Sequence, residues 1–235
     1  MHLFYTPDIQ GNSYRLNENE SRHAVRVLRL NKGGEVILVD GQGTWYEAEI
    51  MEAHPKACVL KIRSRKNNYK SLPYHLHLAV SPTKNTDRFE WFLEKATEIG
   101  ITEITPLYSR RSERRQVKAE RLERILISAM KQSQSAWKPK LNPGTGLEEF
   151  LAIQRSGQLG IAHCHPLERK GIESLGKRSS YTLLVGPEGD FTEDEVEKAL
   201  QAAYQPIQLG ESRLRTETAA VYLTAAVHFL HSGVL

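Results

Sequence analysis

The chain has 235 residues, a mass of 26.7 kDa and a formal net charge of +4, which suits one large domain or two smaller ones. Its composition is that of an ordinary globular protein, and no run approaches the ~20 apolar residues of a membrane helix. The first residues lack the basic and apolar regions of a signal peptide, and the two cysteines form no motif. We therefore expect a cytoplasmic protein that does not contact a membrane.

Residues 1–70 are rich in predicted strands. Strands at 35–40 and 44–50 flank a Gly-Gln-Gly turn whose glycines can adopt positive φ, and 57–64 predicts a third strand. A segment with helical periodicity precedes them at 19–30. Short strands in so small a region predict a compact β-barrel.

The polar segment 66–73 ends in a proline and predicts a linker to a second domain at 74–235. The predicted strands of this domain are at 75–81, 104–108, 159–164, 181–186 and 206–210. Its predicted helices are at 87–100, 119–136, 192–203 and 216–231. Strands that alternate with helices indicate an α/β domain with a mostly parallel sheet covered on both faces.

Charge is unevenly distributed along this second domain. Ten basic residues and three glutamates lie between 110 and 140, whereas 188–197 contains six acidic residues and no base. Such a distribution predicts one positive face that attracts a polyanion, although a solvated helix surface is the simpler alternative.

Two loops follow strands of the predicted sheet, where ligands of open α/β sheets bind. In the first, 184–195, Gly186 and Gly189 allow unusual φ or close approach of a ligand, and the proline between them limits motion. Thr192 and Glu195 form a capping-box pair that fixes the start of the following helix. A merely tight strand-to-helix connection is the alternative interpretation.

The second loop lies within 208–230 and enters a helix that is apolar almost all round, so this helix is buried in the domain or against another subunit. Thr216 is the expected N-cap. Arg213 and Arg215 precede a helix N-terminus, which attracts anions. A structural salt bridge to the acidic segment of the first loop is the alternative.

The run His163-Cys164-His165 at the end of a predicted strand suggests a metal site, but no second ligand pair follows at a suitable spacing. We therefore expect no metal and interpret these residues as strand-end groups near a cleft. No phosphate loop or dinucleotide fingerprint is present either, because GPEGD lacks a Lys-Ser/Thr pair and no G-x-G-x-x-G follows a strand.

The motifs GPEGDF at 186–191 and LGESRLRTETA at 209–219 together resemble the RsmE family, bacterial 16S ribosomal RNA uridine-N3 methyltransferases of the SPOUT superfamily. The resemblance covers the whole chain. HAVRVLRLNKGGEV at 23–36, KATEIGITEITPL at 95–107 and SERR at 112–115 also fit the family.

This resemblance implies a small N-terminal PUA-like β-barrel and a C-terminal SPOUT α/β domain with a trefoil knot. It also implies S-adenosyl-L-methionine as cofactor, a homodimer, and the 16S rRNA of the small ribosomal subunit as partner. The implied cofactor-binding residues are Leu184, Val185, Gly186, Pro187, Glu188, Gly189, Leu209, Gly210, Leu214, Arg215, Thr216 and Thr218.

Methylation at uridine N3 requires loss of the imide proton and stabilisation of the resulting charge. Beside the implied pocket, Arg215 is our candidate for stabilising charge on the uracil oxygens, and Glu217 for taking the proton or orienting the base. Because N3 lies on the Watson–Crick edge, the uridine must be unpaired or flipped out. The candidate RNA-binding residues are Arg22, Arg26, Arg29, Lys32, Arg110, Arg111, Arg114 and Arg115.

The chain departs from the family pattern at three positions. Asp190 stands where the family usually has a second glycine, and Ser212 precedes Arg213 where Arg-Ile is common. Ser135 occupies the arginine position of the family's Glu-Gln-Ser-x-Arg segment. Two alternative functions are a non-catalytic RNA-binding or ribosome-assembly module and a SPOUT methyltransferase acting on transfer RNA.

Overall fold

The structure, a computed structural model, describes residues 2–233, and the chain forms two compact units. The first contains the residues up to Ser71 together with Met130–Lys138, and the second contains Leu72–Ala129 and the residues from Pro139 onward. The sequence predicted domains at 1–70 and 74–235. It did not predict that the segment 130–138 belongs to the first unit.

The first unit contains a five-stranded sheet in the order β1-β3-β4-β5-β2. The strands are β1 (Leu3–Tyr5), β2 (Ser13–Arg15), β3 (Glu35–Val39), β4 (Trp45–Glu52) and β5 (Val59–Lys66). Helix α1 (Glu18–Arg22) continues into a π-helical turn at His23–Val27. Only the β1–β3 pair is parallel, and β1 and β2 form the edges, so hydrogen bonds do not close a full barrel over the described residues.

The segment 130–138 packs on the turn between β3 and β4. This turn has positive φ at both Gly41 and Gly43, as predicted, and a Cβ on Gly43 would collide with the Trp137 ring. Trp137 Nε1 also donates to the Tyr69 carbonyl oxygen at 2.8 Å. Ser135, the departure from the family pattern, accepts a 3.0 Å hydrogen bond from the Trp137 backbone and so shapes the segment.

The second unit is built on an eight-stranded sheet in which every strand pair is parallel, as predicted. The order is β11-β13-β10-β12-β6-β7-β8, and β9 pairs with β7. The strands are β6 (His75–Val80), β7 (Glu103–Tyr108), β8 (Lys140–Leu141), β9 (Thr145–Gly146), β10 (Gln158–Ala162), β11 (Lys170–Gly171), β12 (Ser180–Val185) and β13 (Gln205–Gln208).

Helices cover both faces of this sheet. They are α2 (Thr86–Ile99), α3 (Ala119–Gln132, whose last residues belong to the first unit), α4 (Leu147–Ala152), α5 (Glu193–Gln201) and α6 (Thr216–His231), with a 3-10 turn at Ile172–Leu175. Successive strand residues such as Leu78 and Ala79 lie in different core clusters, because side chains alternate between the faces. One cluster includes residues of α2, α3 and α6, and the other includes residues of α4 and α5.

The strands β13, β10 and β12 are adjacent and parallel, so their carboxyl ends lie side by side at one edge of the sheet. The loops that leave these strands therefore converge. None of the helices between residues 2 and 233 has the length and apolar character needed to cross a bilayer.

Candidate functional site

A cavity of about 370 Å³ lies at the carboxyl ends of β10, β12 and β13. We call the three loops that enclose it the β10 loop (163–169), the β12 loop (186–192) and the β13 loop (209–215). Its lining residues are Ala162, His163, Cys164, Arg169, Val185, Gly186, Pro187, Glu188, Asp190, Ile207, Leu209, Gly210, Glu211, Ser212, Arg213, Leu214, Arg215, Thr216 and Ala219. The two motif-bearing loops predicted to converge thus share one cavity.

Thr216 joins the β12 loop to helix α6. Its buried hydroxyl donates a 2.9 Å hydrogen bond to the Gly186 carbonyl oxygen. The expectation that Thr216 is the N-cap was wrong, because Arg215 occupies the N-cap position and Thr216 is the first helical residue. Its hydroxyl therefore connects the start of α6 to the β12 loop instead of capping the helix.

The β12 loop has the predicted capping box. Thr192 N donates to Glu195 Oε2 at 2.8 Å, and Glu195 N donates to Thr192 Oγ1 at 3.3 Å. Of the two alternatives for Gly186 and Gly189, unusual φ is wrong, because positive φ occurs at Asp190 (65°) instead, and close approach of a ligand stays a prediction. Gly186 packs closely, since an added Cβ would lie 3.0 Å from the Phe191 ring and that ring would have to shift.

Asp190 connects the β12 loop to the β10 loop. Its Oδ2 accepts a hydrogen bond from Cys164 N at 2.8 Å, and its Oδ1 accepts from Phe191 N at 2.8 Å. His165 Nε2 donates to the Phe191 carbonyl oxygen at 2.7 Å across the same boundary. The family's usual glycine is therefore replaced by a residue that adopts a left-handed conformation and uses its carboxylate to hold the neighbouring loop.

His163 is a buried side chain in the cavity wall, only 5% exposed. Its Nδ1 accepts a 3.2 Å hydrogen bond from His165 N, and its buried Nε2 has no partner among the described residues. Burial lowers the pKa of His163 to about 4, although the negative charge of Asp190 acts in the opposite direction, and Arg169 and His165 lower the pKa slightly further. The ring is therefore neutral at pH 7 and carries its proton on Nε2.

The interpretation of His163-Cys164-His165 as strand-end residues near a cleft was correct for His163 and Cys164, which both line the cavity. The His165 ring is instead engaged by the Phe191 carbonyl. Within residues 2–233, no three side chains of the metal-binding types gather at one point.

Arg213 and Arg215 both line the cavity from the β13 loop. Arg213 Nη2 donates to the Glu188 carbonyl oxygen at 3.4 Å, so it contacts the acidic segment through the backbone. Arg215 is exposed at the start of α6. Neither forms an ion pair with a described carboxylate, and the guanidinium charges remain available to an anion.

Glu217 does not line the cavity. It is 7% exposed, its Oε1 is 3.8 Å from Arg88 Nε of α2, and its Oε2 has no described partner. The structure thus separates the two candidate catalytic residues, because Arg215 lines the cavity and the Glu217 carboxylate lies against α2.

Three of the residues implied as cofactor-binding also lie outside the cavity lining. Leu184 is buried in the sheet core, Gly189 accepts a hydrogen bond from Arg111, and Thr218 is exposed on α6. Sequence reasoning in turn omitted the apolar residues at the strand ends, Ala162 and Ile207. Both residues lie near the carboxyl ends of predicted strands, where ligands of α/β sheets bind, so their positions could have identified them.

The basic segment near 110 contacts the acidic segment rather than forming a separate face. Arg110 pairs with Asp194 at 2.7 Å, and Arg111 Nη1 donates to the Gly189 carbonyl oxygen at 2.9 Å. The prediction of a distinct positive face is therefore wrong for Arg110, whereas Arg111 contacts the acidic segment through backbone carbonyls and is not neutralised by a described carboxylate. Within residues 2–233, Arg114 and Arg115 donate only to backbone carbonyls, at 3.0 and 3.2 Å, so no described carboxylate neutralises their charges.

The basic residues around α1 have different surroundings. Arg22 forms an exposed 2.8 Å ion pair with Glu18. Arg26, Arg29 and Lys32 are exposed and have no carboxylate partner in the described part of the chain. Arg29 adopts a left-handed conformation, with φ of 53°, directly after the π-helical turn.

Comparison with known proteins relates both units to RNA-modifying enzymes. The family model of an RNA methyltransferase domain matches residues 70–228, and that of an RNA methyltransferase PUA domain matches 16–63. The chain is 31% identical to the ribosomal RNA small subunit methyltransferase E of Rickettsia conorii, over 92% of this chain and 89% of that protein. It is 30% identical to the protein of the same name from Synechocystis, over 87% and 69%.

Solved structures are similar over nearly the full length. One from Porphyromonas gingivalis has a TM-score of 0.93 and 39% identity, and the match covers 99% of both chains. A ribosomal RNA small subunit methyltransferase E from Neisseria gonorrhoeae, bound to S-adenosyl methionine, has a TM-score of 0.85 and 29% identity over 98% of both chains. The predicted combination of a PUA domain and an α/β methyltransferase domain is confirmed.

Proposed function

The chain belongs to the ribosomal RNA small subunit methyltransferase E family, and from this premise we propose that it methylates N3 of one uridine in 16S ribosomal RNA. The methyl donor is S-adenosylmethionine, and the substrate is the RNA of the assembled small subunit. The observation that carries the proposal is the cavity at the carboxyl ends of β10, β12 and β13, which both family motifs line. A cytoplasmic location belongs to the same proposal.

The cavity fits the methyl donor in size and chemistry. Its volume of about 370 Å³ lies within the range of small-molecule sites, roughly 300–1,000 Å³. Apolar residues at the strand ends suit a nucleoside ring, and the buried Nε2 of His163 is a hydrogen-bond donor without a described partner. Among the implied cofactor residues, those that would hold the ligand are Val185, Gly186, Pro187, Glu188, Leu209, Gly210, Leu214, Arg215 and Thr216.

Arg215 is our candidate for transition-state stabilisation. S-adenosylmethionine supplies a methyl group that its positive sulfonium already activates, so the protein must mainly position the uridine and stabilise the negative charge that develops on the uracil oxygens. Arg215 combines a cavity position with a free guanidinium charge. Arg215→Ala should lower the single-turnover rate about 100- to 1,000-fold. A near-normal rate would remove Arg215 from the mechanism.

The geometry does not support Glu217 as the general base, because its carboxylate lies against Arg88 rather than in the cavity lining. We propose that Glu217 stabilises the start of α6 through the helix dipole and through this contact. Glu217→Gln should therefore leave the shape of the pH–rate profile unchanged, and loss of its acidic limb would restore the catalytic role.

The RNA must be held while the target uridine is unpaired or flipped out. Exposed arginines and lysines serve this purpose because phosphate contacts position an RNA without reading its sequence. In the first unit the candidates with unneutralised charge are Arg26, Arg29 and Lys32, and in the second they are Arg111, Arg114 and Arg115.

A homodimer and a trefoil knot are further parts of the proposal. Helix α6 exposes large apolar side chains one heptad apart, with Tyr222 44% and Phe229 52% exposed, which is a cost for a monomer in water. Sedimentation should give twice the mass of one chain. Replacing Phe229 with glutamate should shift the protein towards a monomer, whereas a monomeric parent protein would refute the dimer.

One experiment tests the activity directly. Small subunits lacking the modification, free 16S RNA and transfer RNA would each be incubated with the protein and methyl-labelled S-adenosylmethionine. Methylation at N3 blocks Watson–Crick pairing, so reverse transcription should stop at a single uridine, and only with the assembled subunit. Label at another atom or in transfer RNA would change the substrate, and no label in any RNA would refute the enzyme assignment.

A further inference from the structure

The His163 imidazole is a buried donor without an acceptor. Because His165 N–H donates to Nδ1 at 3.2 Å, the neutral ring must carry its hydrogen on Nε2. Nε2 is buried and has no partner in the described chain. A buried donor left unpaired costs free energy, so such a group in a cavity wall indicates an acceptor that arrives with a ligand.

The loop that carries this donor is held in place by several contacts. Cys164 N donates to Asp190 Oδ2, and His165 Nε2 donates to the Phe191 carbonyl. Arg169 Nη1 donates to the His163 carbonyl oxygen at 2.7 Å. These bonds fix the backbone on both sides of the imidazole, so the donor direction is set before any ligand binds.

The surroundings of His163 favour the nucleoside half of a ligand. His163 directly follows Ala162 at the end of β10, and the neighbouring strand ends contribute Val185 and Ile207 to the lining, with Ala219 from α6. A flat, weakly polar ring suits such an apolar wall. The charged groups of the lining belong to the loops beyond the strands: Arg169, Glu188, Asp190, Glu211, Arg213 and Arg215.

We infer that His163 donates a hydrogen bond from Nε2 to an acceptor atom of the adenosine half of S-adenosylmethionine. The acceptor is a ring nitrogen or a ribose oxygen. His163 is then a residue that selects the nucleoside, and this inference rests on the proposed function of the cavity. A neutral donor also suits a ligand with a positive sulfonium, because it adds no like charge to the site.

Titration calorimetry on the full chain tests this assignment with two probes, S-adenosylmethionine and 5′-methylthioadenosine, which lacks the amino-acid part. His163→Phe keeps a ring of similar size but removes the donor, and we expect it to weaken both probes about tenfold. His163→Gln, which places an amide N–H near Nε2, should recover most of the affinity. His54→Phe makes the same substitution at an exposed histidine outside the cavity lining and serves as the matched control, with affinities unchanged.

The outcomes separate this inference from the function on which it rests. Unchanged affinity of His163→Phe for 5′-methylthioadenosine would overturn it, as would a loss confined to S-adenosylmethionine, which would assign the donor to the methionine half. A wild-type protein that binds neither probe would instead overturn the proposed function.

A second readout does not depend on a variant that folds. With 15N-labelled histidine in the wild-type protein, saturation with 5′-methylthioadenosine should move the Nε2–H signal of His163 downfield and slow its exchange with water. A signal that stays unchanged at saturation would overturn the inference.

Discussion

The hydroxyl of Thr216 and the carbonyl oxygen of Gly186 are 2.9 Å apart and form a buried hydrogen bond. The bond ties the first residue of α6 to the first residue of the β12 loop, and both residues line the cavity. One side-chain hydroxyl thus controls how the two motif-bearing segments meet.

Thr216→Val should destabilise the protein and weaken ligand binding together. Valine keeps the shape of threonine but leaves the Gly186 carbonyl oxygen buried without this partner, which costs about 1–3 kcal/mol. Urea unfolding measures the loss of stability, and calorimetry with S-adenosylmethionine measures the affinity. Thr218→Val, on the exposed side of the same helix turn, is the control and should change neither quantity. Equal stability of the two variants would contradict the prediction.

Substitutions at Asp190 should distinguish the energetic cost of its left-handed backbone from the contribution of its hydrogen bond to the β10 loop. Asp190→Ala keeps a Cβ at a φ of 65° and loses the carboxylate, so it should destabilise the protein by about 1–3 kcal/mol. Asp190→Gly also loses the carboxylate but removes the strain, so it should be about 1 kcal/mol more stable than the alanine variant. Chemical denaturation compares them, with Asp190→Asn as the control that keeps an acceptor. An alanine variant as stable as the parent would show that the Cys164 contact contributes nothing.

Acid should destabilise the protein through His77. This residue is buried on β6, its Nε2 lies 2.7 Å from Thr105 Oγ1, and burial lowers its pKa to about 4. Between pH 6.5 and 4 the unfolded chain takes up a proton that the folded chain does not, so stability falls with falling pH and levels off below 4. The full loss from this group is about 3 kcal/mol.

His77→Gln should remove this part of the pH dependence, while His163, with the same lowered pKa, continues to contribute. Unfolding free energies measured from pH 7 to 4 would test it, with the exposed His54→Gln as control. An unchanged slope in His77→Gln would mean that the pKa of His77 is the same in the folded and unfolded protein, and would contradict the prediction.

Salt dependence should distinguish arginines that bind RNA from those that are paired within the protein. Replacing Arg26, Arg29 and Lys32 by alanine should weaken RNA binding and reduce the slope of log K against log salt by about 0.7 for each lost single-strand phosphate contact. Arg110→Ala should change the slope little, because Asp194 already neutralises that guanidinium. If the slope changed by the same amount for each replaced residue in both variants, the distinction between basic residues with and without a carboxylate partner would be refuted.

Most of the architecture was accessible from local patterns. The alternation of strands and helices predicted the parallel sheet, and the convergence of the loops at 186 and 210 followed from the rule that carboxyl ends of parallel strands meet. Local chemistry also identified the Thr192–Glu195 capping box and the positive φ at Gly41 and Gly43. Each of these features depends on residues that are close in sequence or on sheet topology.

The remaining features depend on long-range contacts that no local pattern contains. The strands β8, β9 and β11 have two residues each, which is too short for an alternating hydrophobic pattern. They form because they pair with the neighbouring strands β7 and β13. The left-handed conformation of Asp190 accompanies a hydrogen bond that its carboxylate accepts from Cys164 N in the β10 loop. The Glu217 side chain points towards α2 because it contacts Arg88 there. Charge counts along the chain likewise could not show that Arg110 faces Asp194.

The contact of Trp137 with the glycine turn between β3 and β4 has a consequence for synthesis and for fragment design. The first unit lacks one of its own segments until Lys138 has emerged from the ribosome, so the packing of its core cannot be completed while only the N-terminal third has emerged. A truncated protein that stops at Ser71 would expose the apolar surface that Met130 and Ala136 normally cover, and would be prone to aggregate. Joining residues 130–138 to that fragment by a short linker should yield a self-sufficient domain for RNA-binding assays.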